Sequence, residues 1–170
     1  MFHKNKYKKA CVIGFGRSGR AAAALLKRRG YNVLISEEAF IEHADSFNLP
    51  AGILVETGGH TKAVFDSDFI VKSPGILPGS PVLLECKKRG IPVFSELETA
   101  LAFAPKDITV FAVTGTNGKT TTTALLGEIL NEHCQREDKG RQTFVSGNIG
   151  TPVSSVVEQL KPGDFLVIEV

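Results

Sequence analysis

The sequence predicts an α/β fold in which two parallel sheets follow each other along the chain. Short apolar runs alternate with helix-like runs through all 170 residues, and that alternation is typical of parallel sheets. Two glycine-rich turns, residues 14–19 and 114–118, each connect an apolar run to a helix-like run. We therefore predict a Rossmann-like N-terminal domain, residues 1–105, and then the start of a P-loop α/β ATPase domain, residues 106–170.

The composition is ordinary for a globular protein and argues against several kinds of function. Hydrophobic residues make up 42% and charged residues 22%, and a net charge of +2 gives no reason to expect a nucleic-acid partner. No apolar stretch approaches the roughly 20 residues of a membrane span. The basic start lacks the apolar run of a secretory signal. Three widely spaced cysteines (Cys11, Cys86, Cys134) favour neither disulfides nor zinc, so we expect a cytoplasmic protein with no membrane partner.

The first glycine turn lies within a predicted strand–helix–strand unit. Residues 9–13 are predicted as a buried strand that includes Cys11, residues 20–29 as a helix and residues 31–35 as a second strand. The turn is a complete G-x-G-x-x-G, formed by Gly14, Gly16 and Gly19. Such a turn directs a helix N-terminus at a diphosphate but does not identify the nucleotide.

Glu37 stands just past the second predicted strand, about where dinucleotide folds keep a ribose-binding acid. The alternative for Glu37 is a solvated charge beside Glu38. We predict further strands at 53–55, 68–71 and 92–94, and helices at 81–89 and 95–103, the last opened by a Ser95–Glu98 capping box. Pro74 and Gly75 form a turn at the ligand-binding edge of the sheet, and we expect His60 at the surface rather than as a ligand. The domain boundary is predicted at residues 104–107.

The second glycine turn has the layout of a phosphate-binding P-loop. A predicted strand, residues 108–113, precedes it, and a predicted helix, residues 123–130, follows. In such a loop Lys119 reaches the outer phosphates of a nucleotide, and the Thr120 hydroxyl binds Mg²⁺. The general motif has a glycine where this chain has Val113, so the loop is a variant. The alternative is a turn that opens an ordinary helix.

The remaining sequence adds two candidate site residues. Residues 131–142 are polar and predict a loop or a frayed helix end, and residues 143–145 predict a strand. Asn148 lies in a turn that opens another helix, and it is either a donor to a phosphate or carbonyl or an ordinary turn asparagine. Glu169 lies near the end of the apolar run 164–170, where an acid beside a P-loop strand makes a second Mg²⁺ contact. A buried, unpaired carboxylate there is otherwise costly.

Residues 114–121, Thr-Gly-Thr-Asn-Gly-Lys-Thr-Thr, resemble the ATP loop of the Mur ligase family, ATP-dependent amide-forming enzymes of peptidoglycan synthesis. The resemblance covers the whole chain. It extends to residues 14–19, 73–76, 95–98, 147–152 and 167–170. It is to the members that add D-glutamate, because the L-alanine-adding relatives usually have histidine where Asn117 stands. The chain departs from the family at Glu37, often aspartate there, and in having Arg17 at a variable position.

The resemblance implies the substrates UDP-MurNAc-L-alanine, D-glutamate and ATP, the cofactor Mg²⁺, a monomeric parent enzyme and amide formation through an acyl phosphate. The implied UDP-substrate-binding residues are Gly14, Gly16, Arg17, Ser18, Gly19, Glu37, Ser73, Pro74, Gly75 and Asn148. The implied ATP-binding residues are Gly115, Thr116, Asn117, Gly118, Lys119, Thr120 and Thr121. The implied catalytic residues are Lys119, Thr120 and Glu169, of which Thr120 and Glu169 hold Mg²⁺.

We expect the chain to be an N-terminal fragment of a longer enzyme, inactive alone because the D-glutamate-binding domain lies beyond Val170. Three alternatives remain open at this point. The chain is part of another Mur-type ligase, part of a nicotinamide-dependent oxidoreductase, or a nucleotide-binding module without catalysis.

Overall fold

The computed structural model describes residues 2, 6–137, 139–147 and 150–170, without the side chain of residue 45. The chain divides into two compact units, Met1–Ala102 and Phe103–Val170. This division lies close to the boundary predicted after residue 105, and the functions given to the two domains stay predictions. Among the described helices, none has the length and apolar character needed to cross a membrane.

The first unit is a five-stranded parallel sheet with helices between its strands. Its elements are β1 (Lys9–Ile13), α1 (Arg17–Arg28), β2 (Asn32–Glu37), β3 (Leu54–Thr57), β4 (Phe69–Lys72), α2 (Pro81–Lys88), β5 (Val93–Ser95) and α3 (Glu96–Leu101). The strand order is β3-β2-β1-β4-β5, and every neighbouring pair is parallel. This order is that of a Rossmann-like sheet, so the prediction of a Rossmann-like N-terminal domain is confirmed.

The core of the first unit lies on both faces of its central strands. Ala10, Cys11, Val12 and Ile13 of β1 are all buried, which is expected for a parallel strand covered on both faces. Burial raises the pKa of the Cys11 thiol, so this cysteine stays protonated and serves packing, as its position in an apolar run predicts. Aromatic rings from Phe2, Tyr31, Phe69 and Phe94 form a cluster beside the sheet.

The second unit is a three-stranded parallel sheet. Its elements are β6 (Thr109–Val113), α4 (Lys119–Arg136), β7 (Thr143–Gly147), α5 (Val153–Val156) and β8 (Phe165–Glu169). The strand order β6-β8-β7 places the last strand of the chain in the centre. Every residue of β8 is buried, so its apolar sequence reflects cover on both faces.

Several predicted boundaries were wrong in ways that have a physical cause. Helix α1 begins at Arg17 instead of residue 20, directly after the glycine turn. Helix α4 covers Lys119–Arg136, so residues 131–136 continue the helix where the sequence predicted a loop or a frayed helix end. The polar side chains there lie mainly on the exposed side, while Thr123, Gly127 and Cys134 form a buried stripe. Packing along that stripe favours continuing the helix through a polar sequence.

Candidate functional site

The first predicted site lies where the strand order of the first sheet reverses. In open α/β sheets the ligand crevice lies outside the carboxyl ends of the strands at such a reversal. Here the crevice is between β1 and β4, and the loops that follow both strands meet there. The Ser73 N–H donates to the Ile13 carbonyl at 3.0 Å, and the Ser73 hydroxyl donates to the Gly14 carbonyl at 3.4 Å. The predicted turns 14–19 and 73–75 are therefore neighbours.

The fold requires a glycine at two of the three glycine positions of the first turn, but not at the third. Gly14 has φ 104°, and a Cβ at Gly19 would lie 1.9 Å from the Gly14 carbonyl oxygen, so the fold itself requires both. Gly16 has φ −63°, and a Cβ there would have no atom within 4 Å. The fold does not require a glycine at 16, and the space above this backbone is open to a ligand.

Helix α1 begins without a side-chain cap. Its N-cap is Gly16, which has no side chain to accept from the first-turn N–H groups, and its first turn has no acidic residue. Helix α3 differs, because the Ser95 hydroxyl accepts from the Glu98 N–H at 3.0 Å, as the predicted capping box requires. Because the N-cap residue supplies no side-chain acceptor, the N–H groups at the start of α1, where Arg17 and Ser18 lie, suit an anion.

Glu37 is the last residue of β2 rather than a residue past it. Its Oε2 accepts from the Phe15 N–H at 2.7 Å, and its Oε1 accepts from the Ala39 N–H at 3.1 Å. The alternative of a solvated charge was wrong, because this carboxylate is half-buried and holds the glycine turn. Each oxygen has a further lone pair to offer, so a ribose contact stays a prediction.

A cleft of about 590 Å³ opens at this edge of the sheet, and we call it the first-unit cleft. Its volume is in the range of small-molecule sites, roughly 300–1,000 Å³. Its wall is largely apolar, and three predicted residues line it: Gly14, Glu37 and Gly75. The other lining residues are Ile13, Glu38, His60, Ile76, Leu77, Gly79, Ser80, Pro81 and Val82.

The sequence did not predict a polar network beside this cleft. Ser36 is fully buried, its hydroxyl donates to Glu56 Oε1 at 2.6 Å, and it lies 2.7 Å from His60 Nδ1. Glu56 also accepts from the Thr61 hydroxyl at 2.6 Å and from its N–H at 3.1 Å. Burial alone raises the pKa of Glu56, but the hydrogen bonds from Ser36 and Thr61 outweigh it and hold that pKa below its ordinary value.

His60 is half-buried and lines the cleft, and the sequence did not predict its contact with Ser36. The feature that could have predicted this network is the strand register, which pairs Ser36 with Glu56 at the ends of β2 and β3. The predicted third strand ended at residue 55. Glu56 was therefore not predicted to lie at the ligand-binding edge of the first sheet.

The second predicted site is the turn between β6 and α4. Gly115 has φ 152° and Gly118 has φ 75°, a conformation that side chains rarely adopt. Because Val113 ends β6 and Gly118 is the N-cap of α4, the variant loop places its extra glycine inside the turn. Lys119 opens the helix, and its Nζ donates to the Gly115 carbonyl at 2.7 Å.

The side chains predicted to contact ATP are accessible at this turn. The exposed residues are Gly115, Thr116, Asn117, Gly118, Thr120 and Thr121. Helix α4, like α1, begins at a glycine without a side-chain cap and has no acid in its first turn. The turn therefore offers backbone N–H groups and one ammonium group to an anion.

Glu169 lies at the carboxyl end of the central strand β8. The register pairs it with Val113 on one side and with Gly147 on the other, so it stands between the glycine turn and the turn after β7. Glu169 is 6% exposed, and its Oε2 is buried without a hydrogen-bond partner within the described part of the chain. A carboxylate oxygen in that position is costly unless a cation binds it.

Gly147 is fixed by this arrangement, since a Cβ there would lie 2.3 Å from the Glu169 carbonyl oxygen. The next predicted site residue, Asn148, lies outside the described residues. The described residues contain no cluster of three or more acidic, histidine or cysteine side chains that would hold a metal alone. Mg²⁺ is often bound by one or two carboxylates together with substrate phosphates, and the single buried carboxylate of Glu169 is compatible with that mode.

Comparison with known proteins agrees with these features. The family model described as the MurD N-terminal domain matches residues 9–82. A UDP-N-acetylmuramoylalanine–D-glutamate ligase of Elusimicrobium minutum is 49% identical over 100% of this chain and 38% of its own length. A protein of the same name from Koribacter versatilis is 41% identical over 96% of this chain and 35% of its own length.

Two solved structures share the fold. A pseudomurein peptide ligase type C from Methanothermus fervidus matches with TM-score 0.53 and 28% identity over 96% of this chain and 33% of its own. The UDP-N-acetylmuramate:L-alanyl-γ-D-glutamyl-meso-diaminopimelate ligase of Neisseria meningitides matches with TM-score 0.58 and 25% identity. The match covers 96% of this chain and 52% of that ligase.

The parallel sheets and glycine turns place the chain among Rossmann-like α/β proteins. Within that class the chain is similar to ligases of the Mur family, as the match of residues 9–82 to the MurD N-terminal domain and the 49% identity to a D-glutamate ligase show. Its similarity to proteins named D-glutamate ligases extends along its whole length, while it spans less than two fifths of theirs.

Proposed function

We propose that this chain forms the UDP-binding unit and the first part of the ATP-binding unit of a ligase that joins D-glutamate to UDP-MurNAc-L-alanine. The observation that carries the proposal is the 49% identity over the whole chain to a protein named for that reaction. In the proposed reaction the γ-phosphoryl group of ATP passes to the substrate carboxylate. The amine of D-glutamate then displaces phosphate from the acyl phosphate and forms the amide.

The first unit supplies the UDP site in this proposal. The diphosphate lies against the uncapped start of α1, where the backbone at Gly16 leaves room for its oxygens. The uridine occupies the first-unit cleft between Glu37 and residues 75–82. Ser73 supports this site, because it is buried and its hydroxyl donates a hydrogen bond to the backbone of the glycine turn.

The second unit supplies the phosphate site for ATP. Its N–H groups and Lys119 meet the negative charge that spreads over the transferred phosphoryl group, and such preorganised donors lower the barrier of phosphoryl transfer. Lys119 Nζ donates to the Gly115 carbonyl, and in the proposal this ammonium exchanges that bond for a phosphate oxygen. Thr120 and Glu169 would hold Mg²⁺, which supplies positive charge beside the phosphates.

A binding panel on this chain tests the proposal. We expect UDP and ATP–Mg²⁺ each to raise the melting temperature, and NAD⁺ to leave it unchanged. A ligand at a hundred times its Kd stabilises the unit that binds it by about 2.7 kcal/mol. The measurement is thermal unfolding with each ligand, followed by isothermal titration calorimetry. Binding of NAD⁺ without binding of UDP would contradict the proposal and favour a nicotinamide-dependent enzyme.

A further inference from the structure

The glycine turn of the first unit is held in place at Phe15, the residue between Gly14 and Gly16. The Phe15 N–H donates to Glu37 Oε2 at 2.7 Å, and the Phe15 carbonyl accepts from Arg20 Nη1 at 2.8 Å. The Phe15 side chain is also buried. Phe15 is therefore fixed through both of its backbone groups and through its ring, although its two neighbours in the turn are glycines.

Two aromatic rings hold the Arg20 side chain beside this turn. The guanidinium carbon lies 4.5 Å from the centre of the Phe47 ring and 5.4 Å from the centre of the Phe15 ring. The two ring centres are 5.1 Å apart in an edge-to-face arrangement. The segment that carries Phe47 is also bonded to α1 further along, where Lys27 Nζ donates to the Gly52 carbonyl at 3.1 Å. A guanidinium stacked in this way keeps its donors in a fixed plane.

The bond from Arg20 to the Phe15 carbonyl also determines the direction of the next N–H group along the chain. The peptide group between Phe15 and Gly16 is planar and trans, so its carbonyl and its N–H lie on opposite sides. Because the carbonyl is directed at Arg20, the Gly16 N–H is directed away from it. Gly16 is exposed, and its N–H has no hydrogen-bond partner among the described residues. A ligand can therefore accept from it.

The charge of Arg20 favours an anion and not the helix that carries it. Arg20 lies one residue after Gly19 near the start of α1, and a cation near a helix N-terminus opposes the helix dipole. Helix stability therefore does not account for an arginine at this position. An anion at the Gly16 N–H would be attracted by this charge. It would also receive a stronger hydrogen bond, because a cation bonded to the carbonyl polarises the whole peptide group.

We propose that Arg20 is a positioning residue for the diphosphate, because it orients and polarises the peptide group that presents the Gly16 N–H. This inference rests on the proposed function, in which the diphosphate of a UDP-linked substrate lies at the start of α1. Arg20 acts through the backbone of the turn and through its charge, so its effect is specific for the phosphates and does not extend to the nucleoside. Phe47 contributes indirectly, since its ring holds the guanidinium.

The test compares the binding of UDP with that of uridine, which lacks the phosphates, by NMR titration of the amide signals. Arg20→Met keeps much of the side-chain length but removes the charge and the donor. It should weaken UDP binding at least about tenfold, as expected for a hydrogen bond to a charged group, and change uridine binding by less than about twofold. Arg20→Lys keeps the charge and a donor, and it should retain more UDP affinity than Arg20→Met.

The matched control is Lys27→Met, which removes a cation from the same helix and a hydrogen bond to the Gly52 carbonyl. Lys27 lies about two helical turns beyond Arg20, roughly 10 Å along the axis, where salt screens its charge. UDP affinity should therefore change by less than about twofold in this variant. A role of Arg20 that is only structural would weaken UDP and uridine by the same factor. That result, or equal UDP affinity in Arg20→Met and Lys27→Met, would overturn the inference.

A measurement on the wild-type chain covers the case in which an Arg20 variant does not fold. The Gly16 amide proton should move downfield on addition of UDP, and much less on addition of uridine, because an N–H that donates to a phosphate oxygen is deshielded. UDP binding without that shift would overturn the inference and leave the proposed function standing. Failure of the wild-type chain to bind UDP at all would contradict the proposed function itself.

Discussion

Gly16 is a glycine that the fold does not require but that leaves space for a ligand. At Gly14 and Gly19 the backbone conformation or close packing forbids a side chain, but at Gly16 neither restriction applies. The Glu169 carboxylate has a similar status, because its Oε2 is buried without a partner inside the described chain. Such residues are not explained by packing, and in a structure they point to function.

The first residue-scale prediction is that Gly16→Leu abolishes most UDP binding without lowering stability. The leucine side chain has open space around it in the folded chain, but it would fill the space that a diphosphate must enter. We expect UDP affinity to fall by at least about tenfold, or 1.4 kcal/mol, in isothermal titration. Gly140→Leu is the matched control, since a Cβ at Gly140 would also meet no atom within 4 Å and its φ is not left-handed. Equal UDP affinity in both variants would exclude the diphosphate from this turn.

At the scale of the elements, the parallel register brings distant residues to shared edges. The Ser73 turn meets the Gly14 turn because β4 lies beside β1, and Glu169 lies beside both Val113 and Gly147 because β8 is central. Hydrogen bonds also connect the starts of β1 and β4. Asp68, just before β4, accepts from the N–H groups of Lys8 and Lys9 at 2.7 and 2.9 Å.

The element-scale prediction concerns this tie between the starts of β1 and β4. The backbone hydrogen bonds from Lys8 and Lys9 hold the pKa of Asp68 below its ordinary value. A lowered folded-state pKa stabilises the fold above the unfolded-state pKa of about 3.9, and this contribution is lost as the pH falls through the folded-state pKa. Asp68 is exposed, so we expect the contribution to be below about 1 kcal/mol.

Urea unfolding of the wild type and of Asp68→Asn between about pH 6 and pH 2.5 measures this contribution. The wild type should be the more stable at pH 6, and the difference should shrink towards acid pH. Asp66→Asn, at an exposed acid on the nearby segment Lys62–Asp66, is the matched control for removing one negative charge from this surface. A constant difference between wild type and Asp68→Asn across the range would contradict the linkage.

The elements were largely predictable from sequence because local patterns determine them. Strand β1 has the predicted bounds, since an apolar run ends there at a glycine turn, and the burial of Glu169 follows from the apolar run around it. The last turns of α4 were not predictable, because their polar residues are held helical by packing along one stripe. His60 was missed for a different reason. Its contact with Ser36 belongs to a network that depends on the β2–β3 register, which brings together residues that are far apart in sequence.

At the scale of the whole molecule, each unit carries one glycine turn that opens an uncapped helix at the carboxyl edge of a parallel sheet. The second unit also exposes the apolar side chains of Val110, Leu125, Ile129 and Val145. Exposed apolar side chains on several neighbouring elements are typical of surfaces that pack against other protein. Catalysis is therefore best measured in a polypeptide as long as the relatives, of which this chain spans less than two fifths.

The most direct measurement is the ligase activity of a chimera in which this chain replaces the matching part of the Elusimicrobium minutum relative. We predict phosphate release that requires both UDP-MurNAc-L-alanine and D-glutamate. Lys119→Ala in the chimera should reduce the rate about a hundredfold, or roughly 3 kcal/mol, because it removes the ammonium aimed at the phosphates. Folded chimera that binds UDP and ATP but releases no phosphate with D-glutamate, or that keeps a near-normal rate with Lys119→Ala, would contradict the proposed activity.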